Sequence, residues 1–289
     1  MNTPDTLRTP GVAQAAQAGF APLFFSHGSP MIALHPGEAG RFMQALGRRL
    51  DRARGRPDAV LAISAHTTAR QPVLLGAARH ETIHDFGGFP APLYALRYDA
   101  PGAPALAQRL SEQLGLPLLD RGGLDHGIWT VLRALYPDAD VPVLPLALPV
   151  QAPTADLFEL GRRLAQAVGP RVLVMGTGSI THNLGLALRE AREDAPELPE
   201  SAAFRRWFAE RSAARDWAAL RDYRRQAPHA QLMHPTDEHL LPWYVAAGAG
   251  GEAFAPQRLY EGVTLGSLGM DLYAFGPQAD ALKAPPGLS

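Results

Sequence analysis

Ten histidines and no cysteines limit what this chain of 289 residues can offer a metal: imidazole and carboxylate donors, with no thiolate and no disulfide. Neutral imidazole suits zinc, iron and copper. Three of the histidines share one kind of placement. His27 follows the apolar run Pro22 to Phe25, His66 follows the run Asp58 to Ile63, and His182 lies a few residues beyond Arg171 to Met175. Each run reads as a buried strand, and the carboxyl edge of a parallel sheet is where side chains from several strand ends converge on a ligand. One histidine in such a place is more often a structural hydrogen-bonder. Three in the same setting point to a ligand set.

Two further clusters carry ionisable groups. In HPTDEHLLPWY, from His234 to Tyr244, the residues Pro235, Thr236 and Asp237 suit a helix start, which puts Glu238 and His239 in its first turn. Consecutive helical residues point about 100° apart, so one of the pair would face a metal and the other would back it, with His234 a further candidate for backing. The plainer alternative is a helix cap with surface histidines. In GLDHGIW, from Gly123 to Trp129, Asp125 and His126 stand at a helix start. The helix N-terminus disfavours imidazolium there while the adjacent carboxylate favours it, and an Asp cap with a solvated histidine is the plainer alternative. His35, His80 and His229 read as surface residues, and His84 as part of a pocket wall.

The elements that must position these groups alternate along the chain. Glu38 to Arg54 has apolar residues at helical spacing (Phe42, Leu46, Leu50) between the first two strands, a βαβ unit with parallel strands. Ala105 to Leu114, Ile128 to Leu135, Thr154 to Val168, Ser201 to Arg225 and Glu238 to Ala247 read as helices, Val141 to Leu148 as a strand, and Arg258 to Phe275 as a closing hairpin. His80 to Pro104 is too rich in glycine and proline for regular structure and too aromatic for a spacer; long loops of that kind in compact domains are usually functional. The expected fold is α/β: a single domain over residues 21–278, with a central, largely parallel sheet flanked by helices and a C-terminal β-hairpin, between flexible ends at 1–20 and 279–289.

Lys and Arg number 27 against 28 Asp and Glu, a formal net charge of -1, so no cationic excess is available for a nucleic-acid backbone or an acidic membrane face. There is no signal-like start and no apolar run approaching the roughly 18 residues of a membrane span. With the absence of cysteine, this sets the expectation of a cytoplasmic protein.

Seven stretches, in order and spanning nearly the whole chain, carry a resemblance: SHGSPMIAL from Ser26, ISAHT from Ile63, IHDFGGFP from Ile83, YALRYDAPG from Tyr94, GLDHGIWTVL from Gly123, GTGSITHNL from Gly176 and HPTDEHLLPW from His234. Together they resemble the class III extradiol ring-cleavage dioxygenases of the LigB superfamily, and among them the 4,5-DOPA extradiol dioxygenase-like proteins. The resemblance implies one divalent metal ion, Fe(II) for dioxygenase turnover or Zn(II), bound by His27, His66 and His239, with His182 a further ligand or a nearby acid/base. Glu238 is the alternative third ligand, since more distant relatives use two histidines and a glutamate. It further implies a small aromatic diol and O2 as substrates, His126 as proton donor or ring-orienting group, Asp125 fixing the His126 tautomer at the substrate side, and Phe86, Phe89 and Tyr94 as an apolar wall. The alternative is a zinc-binding relative with a hydrolytic or non-catalytic binding role. Gly87, where the family often has an aromatic, and Thr67, where it often has a tryptophan, are departures expected to loosen the pocket wall.

Overall fold

The computed structural model describes residues 19–190 and 192–283; of the ends expected to be flexible, 1–18 and 284–289 lie outside the described residues. The sheet is built from β1 (Leu23–Ser26), β2 (Ala59–Ser64), β3 (Val73–Leu75), β4 (Val143–Pro149), β5 (Val172–Gly178), β6 (Gln257–Tyr260) and β7 (Leu272–Ala274), in the spatial order β6-β7-β1-β5-β2-β4-β3, with the short strand Leu118–Leu119 beyond β3. The four central strands, β1, β5, β2 and β4, are parallel. The flanking pairs β7 with β1, β6 with β7, and β3 with β4 are antiparallel. The first two strands are parallel, as a βαβ unit requires, but β5 lies between them.

Every residue of β1, β2, β4 and β5 is buried. That is why these strands read as continuous apolar runs rather than alternating ones: a sheet covered on both faces has no solvent side. One face is covered by α1 (Gly37–Arg54) and α3 (His126–Leu135). The other is covered by α2 (Pro104–Leu114), α4 (Thr154–Val168), α5 (Pro199–Ala214) and α6 (Leu241–Gly250). Helices α4 and α6 meet backbone to backbone, because a Cβ on Gly161 would lie 2.0 Å from the Val245 carbonyl oxygen and one on Gly248 would lie 1.9 Å from that of Phe158.

Two helices differ from the sequence expectation. The stretch Ser201 to Arg225 is not continuous: Arg215 adopts a left-handed conformation (φ 56°), and Asp216 then caps the separate short helix Trp217–Arg221 by accepting from Ala219 N. The helix expected from Glu238 begins at Leu241 instead. Pro242, not Pro235, occupies its first turn, where a missing N–H costs nothing, and the amides of Leu240 and Leu241 bond back to the Asp237 carbonyl. Glu238 and His239 therefore sit in the turn before α6. The C-terminal strands β6 and β7 do form an antiparallel pair, with a small inner hairpin of Val263–Thr264 and Leu268–Gly269 between them whose turn carries Gly266 at φ 63°. Ala279–Leu282 form a 3-10 turn that packs Ala279 and Leu282 against the core. Among the described residues no helix is long and apolar enough to cross a membrane.

Candidate metal centre

The carboxyl ends of β1, β2 and β5 bring His27, His66 and His182 to one edge of the sheet. His27 is the residue after β1, its amide bonded to the Gly178 carbonyl at the end of β5. His239 reaches the same edge from the turn before α6. Gly178 makes this possible: a Cβ there would lie 2.0 Å from the His239 carbonyl oxygen, which instead accepts from Ser179 N at 2.8 Å. Gly127 leaves similar room beside the His27 ring.

At the centre, His66 Nε2 lies 3.1 Å from His27 Nε2 and 3.3 Å from His239 Nε2. The protons are on the far sides of the outer rings. Thr177 Oγ1 donates its one hydrogen to the Gly127 carbonyl (2.9 Å), so it can only accept from His27 Nδ1 (2.9 Å), which must carry the proton. Glu238 Oε1 accepts from His239 Nδ1 at 3.0 Å. His27 and His239 thus direct bare nitrogens at His66, and whichever tautomer His66 adopts, its single Nε2 cannot satisfy both. Bare nitrogens that face one another in a buried site call for a cation. Two imidazole nitrogens each about 2.1 Å from a common ion, at octahedral to tetrahedral angles, stand about 3.0–3.4 Å apart, so the observed spacing fits.

Burial and the crowding of like groups keep these imidazoles neutral. The pKa values of His27 and His239 are held well below the ordinary histidine value, first by desolvation and then by the neighbouring histidines, and that of His66 is lowered by burial and His126. Neutral imidazole is the form that binds metal.

His126 and His182 adjoin different members of the cluster. Donor atoms of His27, His66 and His126 all lie within 4.8 Å of one another, as do those of His182, Glu238 and His239. The His182 ring is stacked on that of His239, with centroids 3.3 Å apart. Burial, with His234 next, pulls its pKa down to about 4. His234 is fully buried and bonds through Nε2 to the Ile180 carbonyl at 2.8 Å, which steadies the loop carrying His182. His126 begins α3 and is 7% exposed.

The side chain that fixes His126 is not the expected one. Its Nδ1 lies 3.1 Å from Asp85 Oδ1, which also accepts from His126 N at 2.9 Å. Burial pushes the Asp85 carboxyl up, but the hydrogen bonds and charge of His126 outweigh it and hold the group below its usual range. Asp125 is committed elsewhere: it caps α3 through Ile128 N and accepts from Ser64 Oγ (2.8 Å) and Thr67 Oγ1 (2.5 Å). The Thr67 hydroxyl thereby ties the segment after β2 to the start of α3. His80 is also misread by the sequence as a surface residue; it is fully buried, and its Nε2 bonds to the Val143 carbonyl of β4 at 2.9 Å. His35 and His229 are exposed.

The long loop supplies an aromatic wall. Phe86 stands edge-on to His126 (5.6 Å) and contacts Phe89 (5.4 Å) and Tyr94 (5.3 Å), while His84 packs between Phe86 and Trp129. Gly87 is exposed, with open space where a side chain would stand.

Behind β1, Ser26 Oγ donates to the Asp271 carbonyl at 2.9 Å. The Asp271 carboxylate is buried and takes two hydrogen bonds from Arg205, at 2.7 and 3.0 Å, and Arg205 also holds Glu197. Although burial pulls the Arg205 guanidinium down, Asp271 and Glu197 raise it above its ordinary value. Arg205→Ala leaves the Asp271 charge buried with only the longer Arg258 contact, and the expected loss of unfolding free energy in urea titrations is about 3–5 kcal/mol. A loss below 1 kcal/mol would show that the pair is only marginally coupled to folding.

Residues 22–270 match the family described as the catalytic LigB subunit of aromatic ring-opening dioxygenase. The chain is 36% identical over 254 residues to a 4,5-DOPA dioxygenase extradiol of Escherichia coli K12, covering 86% of this chain and 92% of that protein. It is 33% identical over 264 residues to a 4,5-DOPA dioxygenase extradiol of Beta vulgaris, covering 87% and 95%. The crystal structure of an uncharacterized Escherichia coli K12 protein superposes with a TM-score of 0.69 at 29% identity, over 88% of this chain and 98% of that one. The chain belongs to the LigB family and is an aromatic ring-opening dioxygenase.

Proposed function

We propose that the protein is a metal-dependent extradiol dioxygenase that opens a catechol such as DOPA with O2, using one ion held by His27, His66 and His239. The observation that carries the reading is the meeting of the Nε2 atoms of His27 and His239 on that of His66, the outer two protonated on the far side. Glu238 contacts the far nitrogen of His239, and so backs that ligand rather than replacing it. When bound, Fe(II) would supply a site for both oxygens of the diol and the redox chemistry that lets O2 react.

The protein's own groups provide the rest. His182, neutral at working pH, takes the proton of the second diol hydroxyl. His126, once its Nε2 has taken up a proton, donates a hydrogen bond or that proton to oxygen, and Asp125 holds its helix start in place through Ser64 and Thr67. Phe86, Phe89 and Tyr94 receive the ring and exclude water. Both atoms of O2 enter one product, a muconic semialdehyde, with no external reductant.

Oxygen uptake by anaerobically Fe(II)-loaded protein, with DOPA and simple catechols and a watch for a yellow product, tests the reading. Uptake is expected to need iron and to drop by at least 100-fold in His182→Ala while the metal content stays. Loss of the metal in that variant would make His182 a ligand. No uptake with any catechol at full iron occupancy would favour a zinc-binding relative with a hydrolytic or non-catalytic role.

A further inference from the structure

Asp85 occupies a position that the proposed reaction does not yet use. It stands on the irregular loop between the short strand Glu81–Thr82 and the helical turn Ala91–Tyr94, between two residues of the pocket wall, His84 and Phe86. Its two carboxylate oxygens face two different imidazoles. Oδ1 accepts from His126 Nδ1 at 3.1 Å and from His126 N at 2.9 Å, and Oδ2 lies 3.5 Å from His66 Nδ1. The rings of His66 and His126 are 4.1 Å apart between centroids.

An ionised carboxylate only accepts, so the nitrogens that face it are the ones that carry the protons. His126, hydrogen-bonded to Oδ1, therefore carries its proton on Nδ1 and leaves Nε2 bare; His66 Nδ1 faces Oδ2 at 3.5 Å, an electrostatic contact rather than a hydrogen bond, which favours the proton on the corresponding nitrogen. In His66 the bare nitrogen joins those of His27 and His239. In His126 it is the nitrogen free to exchange a proton with a bound oxygen. The loop itself is held independently of this contact, since the Ile83 carbonyl accepts from Trp129 Nε1 at 3.0 Å and His84 Nε2 bonds to the Leu96 carbonyl at 3.1 Å. Asp85 is therefore brought to the two histidines by the same scaffold that places Phe86 against His126.

We propose that Asp85 is a positioning residue that fixes the tautomer of His126 through one carboxylate oxygen while the other faces His66, so that one carboxylate on the aromatic loop aligns the proton-transfer group beside a metal ligand. The proposal rests on the reading of the site as a metal-dependent dioxygenase centre, but its central prediction concerns where the His126 proton sits and can be read without turnover. Carboxylates behind metal-bound histidines typically change affinity or activity by 10–100-fold when removed.

The test uses full-length protein loaded with zinc, which is diamagnetic, and long-range 15N–1H correlation spectra of its histidines. In the wild type, His126 and His66 are expected as single Nδ1–H tautomers. In Asp85→Ala, His126 is expected to show a mixture or the Nε2–H form. In Fe(II)-loaded protein the same change should lower kcat by about 10–100-fold, with KM for the catechol changed by less than threefold. Asp85→Asn, which keeps the shape and an acceptor oxygen, should retain the Nδ1–H form of His126 through that oxygen and recover part of kcat. An unchanged His126 tautomer in Asp85→Ala, or an unchanged kcat, would overturn the proposal. If the wild type turns over no catechol, the dioxygenase reading fails, while the zinc-loaded spectra still decide whether Asp85 sets the His126 tautomer.

Discussion

Replacing His66 by alanine is expected to leave a folded chain that no longer retains its metal through dialysis and opens no ring above background. His66 is the nitrogen common to the close contacts with His27 and His239, so its loss separates the remaining two donors rather than merely thinning the set. Removing a group that only backs a ligand typically costs 10–100-fold in metal affinity, and removing the central ligand should exceed the upper end of that range. The metal-free stability should move the other way or not at all. The side chain is only partly buried, its pKa is depressed by burial and His126, and its Nε2 faces two bare nitrogens, so alanine relieves an unfavourable arrangement in the empty site. Metal content by mass spectrometry and thermal unfolding with and without metal read the two effects separately. A variant that binds metal as tightly as the wild type would remove His66 from the ligand set, and with it the proposed centre. His182→Ala is the useful contrast, because that ring lies against the face of His239 rather than among the three converging nitrogens.

The contrast between His66 and Asp85 shows what the sequence could convey. His27, His66 and His182 were legible because each follows an apolar run, and a run buried on both faces ends where the parallel sheet ends. Proximity along the chain was the misleading signal. Asp125 adjoins His126 but turns to cap the helix and hold Ser64 and Thr67, whereas Asp85, 41 residues away, makes the ring contact. Thr177, which fixes the His27 tautomer, gives no such signal in the sequence, because a threonine in a buried strand carries no sign of which carbonyl its hydroxyl will choose. Helix ends were misplaced for local reasons. Arg215 takes a left-handed conformation that its residue type does not announce, and Pro235 suits a helix start by type although Pro242 is the proline that stands in the first turn of α6. His80 was read as exposed because its partner, the Val143 carbonyl, lies on a strand distant in sequence. The sheet and its edge follow from patterns of hydrophobicity; the hydrogen bonds around the candidate metal centre require the folded chain.

The same buried histidines make the metal-free protein acid-sensitive, with a window that follows from their shifts. His27, His66, His80, His182, His234 and His239 all have pKa values below the ordinary 6.5, with burial the first cause in each case. The unfolded chain takes up protons as pH falls through about 6.5, while the native chain keeps these rings neutral until lower pH. Stability is therefore fully present above about pH 6.5 and is lost as pH falls towards 4, the value to which His182 and His234 are pulled. Each of these two contributes about 3 kcal/mol to the loss at most, so the pair removes up to about 6 kcal/mol, comparable to the total stability of an ordinary domain. Metal-free protein should thus unfold between pH 6 and 4 when followed by circular dichroism. Zinc or iron binds only the neutral rings, stabilises the native state by mass action, and should move that transition to lower pH. Equal stability of the metal-free chain at pH 7 and pH 4.5 would mean that these rings are hydrated in solution and titrate normally. The converging nitrogens would then be too open to hold a metal tightly, because the burial that makes the rings costly to protonate also leaves them bare for a cation.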